Sequence, residues 1–157
     1  MYVPDVKKVL RLHAELIVID YEGSVFDACN LAFLGSLLNL RIPSYSLKDD
    51  ELVVDYGIPF PLALLVEQSR KLTLSEVPIS VTFGFFDDFE VMDPNVFEED
   101  LIDDTFSVIL GMNNRILSII KPGGKCVSDE ILNSLCDKAK DRYNHLYSVI
   151  EEFKATL

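Results

Sequence analysis

From Ser128 to the end of the chain, apolar residues recur at Ile131, Leu135, Ala139, Tyr143, Leu146, Ile150 and Phe153, the three- and four-residue spacing of a single helix face. Ser128 is a natural N-cap, and Asp129 and Glu130 sit where the helix dipole favours negative charge. A long helix with one apolar face requires a surface to lie on. Two adjacent hairpins supply it. "VPISVTFGFFDDFEVMD" alternates around Asp87-Asp88, and "FSVILGM" and "RILSII" flank Asn113-Asn114, residues that tolerate the positive φ of a tight turn. "KPGGK" closes the second hairpin.

Upstream, "LHAELIVI" at 12–19 ends in a β-branched run and predicts a buried strand. A helix from Ser24 to about Leu40 is expected next, with Ser24 as N-cap and Asp27 as the second member of a capping box. Its small stripe, Ala28, Ala32, Gly35 and Ser36, suits close approach to a sheet, and this is expected to be a deeply buried helix. Between 44 and 69 the pattern is weak: "ELVVDYG" reads as a short strand, Pro59 and Pro61 punctuate a loop, and a short helix over 62–69 is possible. The order of strand, helix, antiparallel strands and helix gives an α+β class, a mostly antiparallel sheet with helices packed on one face and a long C-terminal helix. At 157 residues one domain, 1–157, is expected.

The charge is −12 and uneven, with nine acids and no base from Asp87 to Asp104. Such a balance opposes wholesale binding to nucleic-acid phosphates, so any RNA contact has to be local or shared with another chain. No apolar run approaches the roughly 20 residues of a membrane span, and no secretory signal pattern opens the chain; a soluble intracellular protein is expected. Cys29, Cys126 and Cys136 match no metal or redox spacing, and Cys29 and Cys136 are expected in the core. His13 and His145 are too far apart in sequence to nominate a nucleophile's base.

The acidic run fails as a calcium loop: counting from Asp93, the third ligand place is Phe97 and the obligatory glycine is Glu98. Asp93, Glu98, Glu99, Asp103 and Asp104 remain candidates for metal or acid-base chemistry, against the alternative of a solvated face. "KPGGK" fails as a phosphate-binding P-loop, because Ile119 stands at the first glycine place and Cys126 at the Ser/Thr place. A glycine turn from a strand into the last helix is the better reading.

Taken together and in order, "IDYEGSVFDACNLAFLGSLLNL", "VPISVTFGFFDDFEVMDPNVFEED" and "IIKPGGK" resemble the second half of the RNase PH-like family, whose members build the six-subunit ring of the RNA exosome. The resemblance runs from about Leu10 to about Ile150. It implies a ribosomal protein S5 domain 2-like β-α unit of which this chain carries only the C-terminal copy, so that a surface normally covered by the first copy is left apolar. Active members carry two aspartates at the positions of Asn95 and Thr105, and an arginine in a glycine turn at the position of Val25. The resemblance therefore implies a non-catalytic ring subunit without catalytic, metal or cofactor-binding residues. Its implied partners are other RNase PH-like ring subunits, exosome cap subunits and RNA held weakly or through the assembly, with no membrane. Arg115, Lys121 and Lys125 are the candidate RNA or subunit contacts, as the basic residues adjoining the acidic run. Two alternatives stay open: a phosphate-dependent 3'-5' exoribonuclease using Asp103 or Asp104, and an unrelated acidic protein-binding module.

Overall fold

The structure, a computed structural model, describes residues 2–3, 8–9, 11–43, 45–48, 51–54, 69–87 and 89–156. Two compact units emerge, Met1–Glu15 with Ser36–Thr73, and Leu16–Gly35 with Leu74–Leu157. Among its described residues the first holds three two-stranded ladders. In these β1 (Tyr2–Val3) pairs with β2 (Lys8–Val9), β3 (Arg41–Pro43) with β6 (Ser69–Lys71), and β4 (Tyr45–Lys48) with β5 (Glu51–Val54), the strand expected in "ELVVDYG". The proline loop and the short helix expected over 59–69 fall almost wholly outside the described residues; at its end Ser69 begins β6.

The second unit carries a four-stranded antiparallel sheet in the order β10-β9-β7-β8, built from β7 (Ile79–Phe86), β8 (Phe89–Met92), β9 (Asp104–Gly111) and β10 (Arg115–Ile120). Both expected hairpins form. Asp87 turns the first at φ +50°, and Asn113 and Asn114 turn the second at φ +59° and +57°, so the turn chemistry legible in the sequence operates locally. In the centre, Ile79 faces Leu110, Val81 faces Val108 and Phe83 faces Phe106, all buried. The period of two places these three pairs on one face. The long helix, Asp129–Thr156, packs across β7 and β9 and buries Leu135, Cys136, Ala139 and Tyr143. Truncating Phe83 in such a core costs about 3–5 kcal/mol. The Ser128 hydroxyl accepts from the Ile131 N–H at 3.3 Å, capping this helix as the sequence predicts. The ends of its apolar stripe are less covered: Ile131 and Phe153 are each 43% exposed.

Two expectations are overturned. Residues 12–19 are irregular and exposed, with Ile19 95% accessible. β-branched residues favour a strand only where a neighbouring strand offers a ladder, and among the described residues none pairs with this segment. The helix α1 (Val25–Asn39) has the expected bounds, but Ala28, Ala32 and Ser36 lie on an exposed face while Leu34 and Leu38 are buried. Its approach to the sheet is polar. β8 pairs with β7 only from Phe83 onward, leaving the earlier part of that edge open, and the Ser80 and Thr82 N–H groups donate to Asn30 Oδ1 (3.2 Å) and Asp27 Oδ2 (2.7 Å). Side chains three residues apart on a helix thus complete a strand edge.

Candidate functional site

The connection from β8 to β9 holds most of the acidic run. Asp93 adopts φ +57°, Pro94 is fully buried, and Asn95 caps a one-turn helix, α2 (Val96–Glu99). Asn95 Oδ1 accepts from the N–H groups of Phe97 (2.9 Å) and Glu98 (3.0 Å), while the Glu98 carboxylate accepts from the Asn95 N–H at 2.8 Å. This is a complete capping box. Glu99 faces the other way: its Oε1 accepts from the Ser24 N–H at 2.8 Å and its Oε2 from the Tyr21 hydroxyl. The Val96 N–H donates to Glu22 O (3.1 Å), and Gly23 bridges Asn95. Gly23, at φ +104°, has to be glycine because a Cβ would collide with the Pro94 carbonyl oxygen.

This geometry corrects the capping box expected at Ser24 and Asp27. Ser24 is buried at φ +43°, its Oγ has no partner among the described residues, and the Asp27 carboxylate reaches across to Thr82, bonding its N–H and its Oγ1 (2.9 Å). Thr82 Oγ1 in turn lies 2.8 Å from Ser107 Oγ. A carboxylate in the first helical turn serves the dipole whichever way its side chain leans; a strand edge with unsatisfied N–H groups wins it. A cleft of about 220 Å³ lies beside this turn, with Ser24, Ser80, Asp93 and Arg142 among its lining.

Cations reach the acidic segment from the long C-terminal helix, here α3 (Asp129–Thr156). Arg142 lies 3.4 Å from Asp93, and Lys138 pairs with Glu90. Sequence separation of 49 residues between Arg142 and Asp93 hid the first pair. Asp104 opens β9 and accepts from the Lys125 N–H at 2.7 Å, with Lys121 Nζ 3.7 Å away. Most of the candidate carboxylates thus have partners inside the chain, and among the described residues no three His, Cys, Asp or Glu side chains converge to hold a metal ion.

The three basic candidates separate into two places. Lys121 and Lys125 come together around Asp104. Arg115 stands at the opposite end of β10, a strand of six residues and so roughly 17 Å away, where it pairs with Glu76 at 2.5 Å while Glu76 also accepts from the Met112 N–H. An extended strand separates its ends, and Arg115 therefore does not adjoin the acidic run. Of the other named positions, Val25 begins α1 half-buried and Thr105 pairs with Gly84 in the sheet. Asp27 and Arg142 are not singled out as site residues by the sequence, and Glu99, a candidate there for metal or acid-base chemistry, instead fastens the α2 turn to the start of α1. For Asp27 a signal exists: Ser80, Thr82 and Ser107 are polar positions flanked on both sides by apolar residues in two strands.

Perturbed titrations are found on α3. Burial, with nearby Tyr147, Glu76 and Glu151, pushes Tyr143 up to about 12, and burial pushes the Cys136 thiol up. Cys136 is in the core as expected; Cys29 is half-buried and Cys126 exposed.

With this geometry in hand, similarity to known proteins is specific. Residues 76–142 match the 3' exoribonuclease family, domain 2. The chain is 27% identical over 151 residues to exosome complex component rrp45 of Schizosaccharomyces pombe, covering 93% of this chain and 48% of that protein. It is 30% identical over 129 residues to exosome complex component Rrp42 of Methanothermobacter thermautotrophicus, covering 82% and 44%. The chain spans about half the length of the curated relatives it matches. A solved Archaeoglobus fulgidus exosome with RNA bound to the active site superposes with a TM-score of 0.65 at 19% identity, over 84% of this chain and 45% of that one. The fold is RNase PH-like. Within this RNase PH-like fold, the matched residues begin at Glu76, which holds Arg115, and end at Arg142, which holds Asp93. No helix among the described residues is long and apolar enough to cross a membrane.

Proposed function

We propose that this chain is a structural, non-catalytic subunit of an RNA exosome ring, the C-terminal half of an RNase PH-like domain that holds neighbouring subunits and helps guide RNA for 3'-5' processing and degradation elsewhere in the assembly. The observation that carries the reading is at Asn95. The resemblance implies that active members have an acid there; here the side-chain oxygen is occupied by two backbone N–H groups of α2, a helix-capping role that leaves it no reach toward a substrate. An amide also cannot exchange a proton in the useful pH range. Val25, at the place of the implied arginine, brings no cation, and Thr105 brings no charge.

Its partners on this reading are other RNase PH-like ring subunits and cap subunits, with RNA met weakly or through the assembly. All six residues of β10 are exposed at the sheet edge, including Ile116, Leu117, Ile119 and Ile120, which suits edge-to-edge packing. The finer assignment is the ring position: the ordered segments resemble ribosomal RNA-processing protein 43, and the relatives above bear the names rrp45 and Rrp42, so a ring subunit is what they share. Nucleus, nucleolus and cytoplasm are the compartments that follow.

The test is reconstitution. The chain, mixed with purified RNase PH-like ring subunits, is expected to co-elute in a larger assembly, and alone to release no nucleoside diphosphate from an RNA oligonucleotide in inorganic phosphate. Diphosphate release that disappears in Asp104→Asn would replace this reading with the phosphorolytic one. Failure to join any related subunit would leave only the acidic binding module.

A further inference from the structure

The turn Lys121-Pro122-Gly123-Gly124-Lys125 leads from β10 toward α3, and its concave side is filled by a side chain of the protein itself. The Lys125 N–H points at Asp104 Oδ2 from 2.7 Å, and Lys121 Nζ stands 3.7 Å from the same oxygen while donating also to the Gly123 carbonyl. Gly124, at φ +80°, presses its Cα against the carboxylate so closely that a Cβ would run into it. The Asp104 side chain is only 11% exposed in this seat. A backbone N–H following a glycine at positive φ, with an ammonium group beside it, gives one oxyanion both a directed donor and a positive charge. Beside it opens a cleft of about 180 Å³, walled by Phe85, Val127 and Ile131 and by the carboxylates of Asp87 and Asp103.

We infer that this turn is a phosphate-type oxyanion site held shut by Asp104, the carboxylate standing in for one phosphate oxygen edge. The inference stands on this geometry and is independent of the ring assignment. Charge explains the closed state. With Asp104 in place the cleft is lined by three carboxylates and the two lysines, and a second anion is repelled; without it, Asp87 and Asp103 face Lys121 and Lys125 at balance, the Lys125 N–H loses its acceptor and the Lys121 ammonium keeps only the Gly123 carbonyl. The ligand class is a phosphate oxyanion, either inorganic phosphate or the diester of an RNA backbone.

The experiment compares the full chain with Asp104→Ala, and with Asp104→Asn as the milder variant that keeps one acceptor oxygen should the alanine variant not fold. Thermal unfolding is followed in sodium phosphate and in sodium chloride of equal ionic strength, and the Lys125 amide resonance is followed during phosphate titration. Opened variants are expected to gain on the order of 3 °C at phosphate about ten times its dissociation constant, with a shift of the Lys125 amide, both lost when Lys121→Gln is added. Fluorescence anisotropy with a short RNA identifies the source: binding to RNA with no phosphate response assigns the backbone diester, and a phosphate response alone assigns the free ion. A folded Asp104 variant that answers to neither ligand overturns the inference, as does a wild-type chain that answers as strongly as the variant.

Discussion

Three consecutive carboxylates, Glu98, Glu99 and Asp100, differ only in what they touch, and replacing each in turn by alanine separates a built segment from a solvated one. Glu99 accepts the N–H of Ser24, a residue 7% exposed, and the hydroxyl of Tyr21, which is 46% exposed. A net hydrogen bond to a charged acceptor contributes about 1.5–3 kcal/mol, and an orphaned buried N–H costs a similar amount, whereas the exposed Tyr21 finds water. Glu99→Ala is therefore expected to cost about 2–3 kcal/mol. Glu98 closes a capping box on the exposed Asn95 and is expected to cost about 1 kcal/mol. Asp100 is exposed at the end of α2 and contributes there through its backbone N–H, so its substitution falls within about 0.5 kcal/mol of zero. Urea unfolding reads the series as shifts in midpoint at constant slope, with Glu99→Ala lower by about 1 M for a slope near 2 kcal/mol/M. Three equal shifts, or a larger loss at Asp100 than at Glu99, would refute the account of the acidic run as internal fastening.

Gly23→Ala adds a Cβ at φ +104° against the Pro94 carbonyl and is expected to lower stability by about 3 kcal/mol or more, measured by thermal unfolding. Tyr143, raised to about 12 chiefly by burial, loses its proton less readily when folded than when unfolded. Its stabilising contribution is thus complete below about pH 10 and fades as pH climbs toward 12; denaturant midpoints should fall across that window, and Tyr143→Phe should flatten the fall. The isolated chain is expected to self-associate as salt rises from about 0.05 to 0.5 M, because screening weakens the repulsion of a −12 charge while leaving the apolar edge of β10 unchanged; sedimentation velocity that shows dissociation with added salt contradicts this.

Local chemistry was the legible part. Asp87, Asn113 and Asn114 turn hairpins because positive φ is a property of the residue and its immediate neighbours, and Ser128 caps α3 for the same reason. What escaped depends on distant partners. "LIVI" has the composition of a strand, but a strand is a relation between two segments, and no described segment pairs with it. Asp27 has the spacing of a capping box, yet its carboxylate goes to Thr82, 55 residues away. The basic candidates were grouped by nearness in sequence, and an extended β10 pulled Arg115 from Lys121.

The two unusual features of this chain, its acidity and its exposed apolar edges, fit one physical account. Uncovered β-branched residues such as Ile17 and Ile19, 75% and 95% exposed, and an open β10 edge invite pairing with any strand. A high net charge of one sign disfavours pairing with a copy of the same chain and leaves it open to a neutral or basic neighbour. Within the acidic run the Asp93 charge is offset by Arg142 and that of Asp104 by Lys121, whereas Glu98 and Glu99 accept from neutral N–H and hydroxyl groups and keep their charge. The repulsive charge therefore resides in the carboxylates that no cation offsets, Glu98 and Glu99 among them, so the acidic turn fastens the chain internally and still contributes to partner choice at the sheet edge.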